Sequence, residues 1–279
     1  MAEIIFQKKA DGWHFSRHLN SKWEKSAVEK IFLLEEEKDS VKIKFRSLSG
    51  EVVDKVKQAF WEFISHVKWD EWFRDVLCHT YFFQDTEEQQ QITDMMHSIM
   101  EGSRRGLSPL PGPGELEERI KDSLGQMLRP GKTFSFDSFC KFRLRSLFER
   151  LEALAAMSID EYKLEQEYQM FIESLRGFLR GREAKMERLH VLAGEAITFF
   201  DDNMEEVKRV ELAKMIDRKL LINHPVYVDS YSIAPLLSIS PAVIYLYTDN
   251  PEDPLIRTIK NIFEERVEFC QIKDFPREF

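Results

Sequence analysis

Apolar residues recur along this chain with two different periods, which predict strands in some segments and helices in others. Glu3–Gln7, Glu29–Glu36 and Val41–Ser47 are short runs rich in β-branched and aromatic residues, a composition typical of strands. Over Val53–Val67, apolar residues recur at steps of three and four, which is the period of an amphipathic helix. We therefore expect residues 1–101 to form a small α/β module with long helices.

The helical pattern stops at a segment rich in proline and glycine. Pro111–Gly114 contains only these two residue types, a composition that cannot continue a helix or a sheet. We expect residues 102–114 to form a linker or an exposed loop, followed by a second region over residues 115–279. The alternating prolines would also suit a polyproline II ligand, although surface linkers commonly have the same composition.

The centre of the chain predicts two helices joined by a turn. Asp137 suits the N-cap of a first helix that ends near Met157. Ser158 and Glu161 have the spacing of a capping box, which marks the start of a second helix. We expect these two helices to form an antiparallel helical hairpin.

One charged residue lies on the apolar face of the first of these helices. The residues four positions before and after Arg143 are apolar and point the same way as its side chain. Burying an unpaired guanidinium is costly, and the hairpin would bring Glu165 of the second helix to it. We predict a semi-buried Arg143–Glu165 pair completed by Tyr168. The alternative is that Arg143, Arg145 and Tyr168 bind an anionic ligand.

The last part of the chain predicts a mixed α/β region. Met186–Asn203 contains two short apolar runs that we interpret as strands. An apolar strand at Val243–Tyr247 leads through a turn into an amphipathic helix near Pro254–Glu264, and a further strand follows at Arg266–Cys270. This is a strand–helix–strand unit, whose strands are commonly parallel. The predicted fold class is α+β: an N-terminal α/β module, a central helical hairpin and a C-terminal mixed α/β module.

Composition limits the compartment and the partners. With 43% hydrophobic residues and 22 phenylalanines, the chain has ample apolar material for a packed core. A net charge of −9 disfavours a broad surface for nucleic acid. The cysteines are scattered and give no disulfide framework, and no apolar run approaches the roughly 20 residues that span a bilayer. We expect a cytoplasmic protein that does not enter a membrane.

Motifs for catalysis and for cofactors are missing from the sequence. There is no P-loop, no dinucleotide fingerprint and no nucleophile elbow. His14 and His18 have a spacing that can chelate zinc, but nothing adjacent completes a ligand set. Cys140 lies near a helix start among phenylalanines, and we interpret it as a buried structural thiol. We expect no metal and no cofactor, and we favour a protein that is not an enzyme.

Two other functions stay open. An enzyme would have its site at the carboxyl end of the Val243–Tyr247 strand, near Thr248, Asp249 and Asn250, although these residues also suit a turn. A nucleic-acid-binding regulator would use two basic stretches, whose charge is offset by interleaved acidic residues. The basic residues of these stretches are Lys141, Arg143, Arg145, Arg150, Arg176, Arg180, Arg182, Lys185 and Arg188.

A longer pattern carries a family resemblance. A phenylalanine-rich start with F-R-L, then I-D-E-Y, then E-x-E-Y occur in order, and the carboxyl-terminal part contains T-I-x-x-I-F-x-x-R-V. Over Phe134–Cys270 this order and spacing resemble the YtxC-like family of spore-forming Gram-positive bacteria. The resemblance implies a connection with sporulation and supplies no catalytic residues. It also favours a shared structural role for Arg143, Glu165 and Arg266.

The function that these observations favour is that of a sporulation-associated, non-enzymatic factor that binds or regulates a protein partner. The sequence does not identify the partner or the oligomeric state. The residues expected to matter, in a structural or a ligand-binding role, are Arg143, Glu165, Tyr168 and Arg266.

Overall fold

The computed structural model describes residues 1–103, 113–194, 196–217 and 231–276. Two compact units follow one another along the chain, Met1–Leu164 (unit 1) and Glu165–Phe279 (unit 2). Each unit combines helices with one four-stranded sheet, so the predicted α+β class is confirmed. Within these residues, no helix is both long enough and apolar enough to cross a membrane.

Unit 1 combines a mixed sheet with helices. Its strands are β1 (Ala2–Phe6), β2 (Phe32–Glu36), β3 (Val41–Phe45) and β4 (Thr133–Ser135). Its helices are α1 (Lys9–Asn20), α2 (Lys25–Ile31), α3 (Gly50–Phe63), α4 (Trp69–His79), α5 (Thr86–Met100), α6 (Pro113–Met127), α7 (Phe136–Arg143) and the first part of α8 (Arg145–Leu179). The strand order is β2–β3–β1–β4, and β1 is antiparallel to β3 but parallel to β4.

The predicted strands of this unit are largely confirmed. Glu3–Gln7 overlaps β1 and Val41–Ser47 contains β3, with boundaries that differ by one or two residues. The predicted strand Glu29–Glu36 is a strand only in its second part, because α2 continues to Ile31 and β2 begins at Phe32. Apolar residues occur both at the end of α2 and in β2, so composition alone does not show where the helix ends and the strand begins.

Most of the predicted linker at residues 102–114 lies outside the described residues. Beyond it, α6 packs against α3 and β4 pairs with β1. The two units therefore divide after Leu164 and not at the predicted segment, since β4 completes the sheet that β1 begins. Strand β4 has three residues, which are too few to show a period in the sequence.

Phenylalanine builds much of the core of unit 1. The buried rings of Phe6, Phe15, Phe60, Phe63 and Phe136 lie with neighbouring centroids 5.0 Å to 6.3 Å apart. Several pairs meet edge to face, the arrangement that the quadrupoles of aromatic rings favour. Burial of one such side chain contributes roughly 1.5–3 kcal/mol, so this cluster is a principal source of stability.

The predicted helical hairpin is absent, because the helix breaks earlier than expected and then does not turn. Helix α7 ends at Arg143, where Leu144 leaves the helical conformation with φ −106° and ψ 17°, and α8 begins at Arg145. Helix α8 passes through Ser158 without a turn, and the buried hydroxyl of Ser158 donates to the carbonyl of Leu154 at 2.8 Å. Since that hydroxyl is satisfied inside the helix, the capping-box pattern is not used.

Unit 2 contains the second mixed sheet. Its strands are β5 (Arg188–Ala193), β6 (Ile197–Phe200), β7 (Val243–Tyr247) and β8 (Val267–Cys270). Its helices are the end of α8, α9 (Arg209–Met215), α10 (Ile233–Ile239) and α11 (Pro254–Phe263). The order is β6–β5–β7–β8, with β5 antiparallel to β6, parallel to β7, and β7 parallel to β8. The predicted strand–helix–strand unit is thus confirmed as β7–α11–β8.

The two faces of this second sheet differ in burial. Leu189, Val191, Ile244, Leu246 and Val267 are at most 5% exposed and belong to the core that unit 2 builds with its helices. Most of the residues between them stay partly or fully exposed. Because successive side chains of a strand point to opposite faces, these residues form a second face, which we call the open face.

Candidate interaction surface

The open face consists of the strand residues that point away from the core of unit 2. Its members are Arg188, His190 and Leu192 on β5, Thr198 and Phe200 on β6, Val243, Tyr245 and Tyr247 on β7, and Glu268 and Cys270 on β8. The strand register places Phe200, His190, Tyr245 and Glu268 in one row across all four strands. Side chains directly opposite on neighbouring strands are close enough to interact, so the row is a continuous surface.

Aromatic rings stack in the centre of the open face. The imidazole of His190 has its centroid 5.0 Å from that of Tyr245 and 5.9 Å from that of Tyr247, at interplanar angles of 19° and 22°. The hydroxyl of Tyr247 lies 3.1 Å from Nδ1 of His190, within hydrogen-bond distance. The ring of Phe275 packs on Tyr247 and on Phe200, with centroids 5.0 Å and 4.9 Å apart. The sheet therefore presents a preassembled aromatic platform.

The platform itself is uncharged near neutral pH. Burial lowers the pKa of His190 below its ordinary value; Arg188 acts in the same direction, while Asp202 and Asp201 oppose it. Burial likewise raises the pKa of the Tyr247 phenol. Both rings are neutral at pH 7 as a result, so the charge of the surface depends on the residues around it.

Carboxylates surround the aromatic platform. Asp202 follows β6, Glu268 lies on β8, and Asp274 follows β8, and all three are exposed. None of them forms an ion pair with a residue that the structure describes. Electrostatic interactions connect Asp274 with Tyr247 and both Glu268 and Asp274 with Cys270, which places the charges beside the rings. The open face is therefore aromatic in its centre and acidic at its edge.

Arg143, the first of the residues singled out in the sequence, is exposed. Its Nη1 lies 3.5 Å from Oε1 of Gln126. The interruption of the helix at Leu144 shifts the helical phase, so Leu144 faces the core with 3% exposure and Arg143 turns outward. The predicted burial of Arg143 is therefore wrong. The N-cap of α7 also differs from the prediction, since Ser135 rather than Asp137 accepts the capping hydrogen bond.

Glu165 lies within α8, which runs without a break from Arg145 to Leu179, and not on a second arm of a hairpin. Its carboxylate accepts a hydrogen bond from Gln169, one turn further along α8, at 2.9 Å. Because α8 has no turn that would reverse the chain, the predicted Arg143–Glu165 pair is not formed. The sequence pattern failed here because packing decides both the break of the helix at Leu144 and the continuity of α8 at Ser158.

Tyr168 lies where α8 contacts α11. Its hydroxyl accepts a hydrogen bond from Nδ2 of Asn261 at 3.0 Å and lies 3.4 Å from the hydroxyl of Thr258. Two turns further along α8, Arg176 donates from Nε and Nη2 to the carbonyl of Asn261 at 2.9 Å and 2.7 Å, and pairs with Glu264 at 2.8 Å. Carbonyls in the last turn of a helix lack partners within it, so Arg176 caps α11. From the sequence, Arg176 was considered only as one of the basic residues of the nucleic-acid alternative, and its capping role was missed.

Arg266 is half-buried and holds the loop that enters β7. Its Nη1 donates to Oγ of Ser240 and to the carbonyl of Pro241, both at 3.3 Å. Ser240 has left-handed backbone angles, φ 51° and ψ 55°, which residues other than glycine adopt rarely. The guanidinium therefore stabilises an uncommon backbone conformation. Arg266 and Arg176 also line a cavity of about 200 Å³. These contacts give Arg266 a structural role, in agreement with the role that the family resemblance implies.

The turn that follows β7 uses its own polar side chains. The hydroxyl of Thr248 accepts a hydrogen bond from the amide of Asn250 at 3.0 Å, and Oδ1 of Asp249 accepts one from the amide of Ile272 at 3.4 Å. Thr248 is 7% exposed. The first bond is local, as the turn interpretation of Thr248–Asn250 expects, and the second joins the turn to the segment that follows β8.

The histidine and cysteine candidates have other surroundings than a metal site would give. Nδ1 of His18 lies 3.8 Å from Glu62, and its ring faces His66 at 6.3 Å between centroids. Cys140 is buried, and burial raises the pKa of its thiol well above the ordinary value, so the thiol stays protonated. Over the described ranges, no group of three or more His, Cys, Asp and Glu side chains could hold a metal ion.

Many of the basic residues considered for nucleic acid have acidic partners. Ion pairs with carboxylates are formed by Arg145, Arg150, Arg176, Arg180 and Arg182. Pairing of this kind reduces the positive potential that a phosphate backbone would require.

The sequence contains part of the signal for the open face. Tyr245 and Tyr247 alternate with Ile244 and Leu246, as expected of a strand with two different faces. The position of His190 beside them is not visible in the sequence, because it results from the parallel pairing of β5 with β7. The aromatic platform was missed for that reason.

Fold and surface together define a two-unit α+β protein whose second sheet has an open aromatic face. The model of the YtxC-like family matches residues 54–268. The chain belongs to this family, and the match begins well before Phe134, where the sequence resemblance was placed.

Comparison with known proteins gives a relative from Bacillus subtilis (strain 168), named "Uncharacterized protein YtxC". The chain is similar to it, with 37% identity over 214 residues that cover 77% of this chain and 75% of that protein. No solved structure matches the chain.

Proposed function

We propose that this protein is a non-enzymatic, sporulation-associated regulatory factor of the cytoplasm, which binds a protein partner through the open face of unit 2. The observation that carries the proposal is the second sheet, which has one face in the core of unit 2 and one face whose central residues stay partly exposed among the residues that the structure describes. Parallel strand pairs are found mainly in sheets covered on both faces, so the open face is the natural position for a partner. The connection with sporulation rests on the family resemblance.

Exposed aromatic rings are a typical component of protein interfaces. Tyr and His side chains contribute a large contact area with few rotatable bonds, so little conformational entropy is lost on binding. The rings of His190 and Tyr245 are partly exposed and already stacked on each other, which reduces that cost further, while Tyr247 is 5% exposed and supports His190 from below the surface.

The test is co-purification of the tagged protein from sporulating cells, comparing the natural chain with Tyr245→Thr. Threonine keeps the preference for a strand and removes the ring from the open face. The control is Phe142→Thr, which removes a ring that is 74% exposed in unit 1. We expect a reproducible protein partner with the natural chain and with Phe142→Thr, and loss of that partner with Tyr245→Thr.

If Tyr245→Thr has normal thermal stability and still retains the partner, the partner does not bind through the open face, and that part of the proposal is wrong. The sporulation part is tested separately by deleting the gene. We expect the yield of heat-resistant spores to fall, and an unchanged yield would contradict the connection with sporulation.

A further inference from the structure

We propose that the open face recognises a basic peptide segment, with an arginine or lysine side chain on the rings of His190 and Tyr245. This inference rests on the proposed function only in assuming that a protein docks on this face. It adds the chemistry of the partner, which follows from the charges around the rings.

The aromatic rings of the open face can attract a cation. A cation over the face of an aromatic ring is attracted by the quadrupole of the ring, and guanidinium groups also stack on such rings. His190 and Tyr245 stack on each other, nearly parallel at 19° with centroids 5.0 Å apart, so a guanidinium would join this stack at Tyr245, on the side where Glu268 is its cross-strand neighbour. Burial lowers the pKa of His190, so its imidazole is uncharged near neutral pH and does not repel a cation.

The charges at the edge of the open face are mainly negative. Asp202, Glu268 and Asp274 are exposed and form no ion pair among the described residues. Asp201 differs from them, because Oδ1 of its carboxylate accepts hydrogen bonds from the amides of Asn203 and Glu205 and so holds a turn. These three carboxylates, together with that of Asp201, outnumber the nearby cations Arg188 and Lys273, so the face is complementary to a cationic segment.

The same rings could in principle stack on the bases of a single nucleic-acid strand. A phosphate backbone would then lie beside Asp202, Glu268 and Asp274, and these carboxylates would repel it. The charges therefore favour a basic peptide over a nucleic acid, and a nucleic acid becomes an outcome that the experiment distinguishes.

The experiment measures binding of synthetic hexa-arginine to the full chain by calorimetry, and follows the aromatic resonances of His190 and Tyr245 by NMR. The test variant combines Asp202→Asn, Glu268→Gln and Asp274→Asn. The control variant combines Asp54→Asn, Glu118→Gln and Glu152→Gln, three exposed carboxylates of unit 1, and changes the net charge equally. An oligothymidine of ten nucleotides serves as the competing ligand class.

We expect hexa-arginine to shift the resonances of His190 and Tyr245. In the test variant the Kd for hexa-arginine should rise by about tenfold, because three partly screened charge contacts are lost. The control variant should retain most of the affinity. Tyr245→Thr should also weaken binding and reduce the preference for hexa-arginine over hexa-lysine, because arginine gains more from stacking.

Equal weakening by the test and control variants would overturn the proposal, since binding would then reflect the net charge of the chain alone. Saturable binding of the oligothymidine to the open face, in preference to hexa-arginine, would also overturn it. If Tyr245→Thr abolishes capture of the partner but neutralising the carboxylates changes nothing, the docking face stands and its basic specificity is wrong. If hexa-arginine binds as expected but Tyr245→Thr still captures the protein partner, the basic specificity of the open face stands and the proposed function is wrong.

Discussion

Unit 1 buries a lysine, whose ammonium group needs partners inside the protein in place of water. Lys68 is 3% exposed, and its Nζ lies 3.0 Å and 3.2 Å from the two carboxylate oxygens of Asp11, which is 4% exposed. It also donates to Glu71 at 2.7 Å and lies 5.7 Å from the ring centroid of Trp72. Lys68 ends a π-helical turn, Ile64–Lys68, that separates α3 from α4, and such turns change which residues face the core.

Removal of Lys68 should destabilise the protein in a pH-dependent way. Lys68→Met leaves the carboxylate of Asp11 buried without its cation, and breaking a buried pair costs about 3–5 kcal/mol. Burial already raises the pKa of Asp11 even though Lys68 opposes it, so the variant should raise that pKa further. The folded variant then binds a proton more readily than the unfolded chain, and its deficit should shrink as pH falls through that raised pKa.

The measurement is the free energy of unfolding in urea at pH 7 and at pH 5 for both chains. Lys55→Met is the matched control, because Lys55 pairs with Glu51 on an exposed helix surface and its loss should change stability little. A deficit equal at both pH values would contradict the assignment of the effect to Asp11.

At the scale of elements, the end of α11 contains backbone strain. Glu264 has φ 52° and ψ −116°, a conformation that glycine adopts easily and that costs other residues about 1–3 kcal/mol. The pair between Glu264 and Arg176, together with the donation from Lys260 to the carbonyl of Glu264 at 2.7 Å, holds it in place. This strain lies between α11 and β8, two elements of the strand–helix–strand unit.

Comparison of Glu264→Gly with Glu264→Ala should isolate this strain. Both substitutions remove the pair with Arg176, but only glycine relieves the backbone, so the glycine variant should be more stable by about 1 kcal/mol or more. The same two substitutions at Glu265, where φ is not positive, should give the opposite order. Thermal unfolding checks both pairs, and alanine equal to glycine at position 264 would show that the conformation is not strained.

At the scale of the whole molecule, the buried side chains form two separate clusters, one in each unit. A core truncation should therefore loosen mainly the unit to which it belongs. Leu246 and Leu151 offer a matched pair, since both are fully buried leucines, the first in unit 2 and the second in unit 1. Each change to alanine should cost about 2–5 kcal/mol.

Hydrogen exchange followed by mass spectrometry measures this effect by segment. We expect Leu246→Ala to reduce protection in β5, β7 and β8, and Leu151→Ala to reduce it in the helices of unit 1. Loss of protection spread equally over both units by either variant would indicate one cooperative body and contradict two units.

Local patterns by themselves determined the fold class, most of the strands and the β7–α11–β8 unit. The reason is physical: Val243–Tyr247 and the helix after it have strong, unambiguous periods, with Asp253 and Pro254 marking the helix start. The family could also be recognised from the sequence, since it depends on the order of such patterns.

Tertiary structure decided what a local pattern leaves open. Whether Leu144 or Arg143 faces the core, and whether Ser158 caps a new helix or lies inside an old one, depends on packing around them. The three residues of β4 become a strand only because β1 offers them an edge. The open face arises in the same way, because His190 and Tyr245 are distant in sequence and meet only through the pairing of β5 with β7.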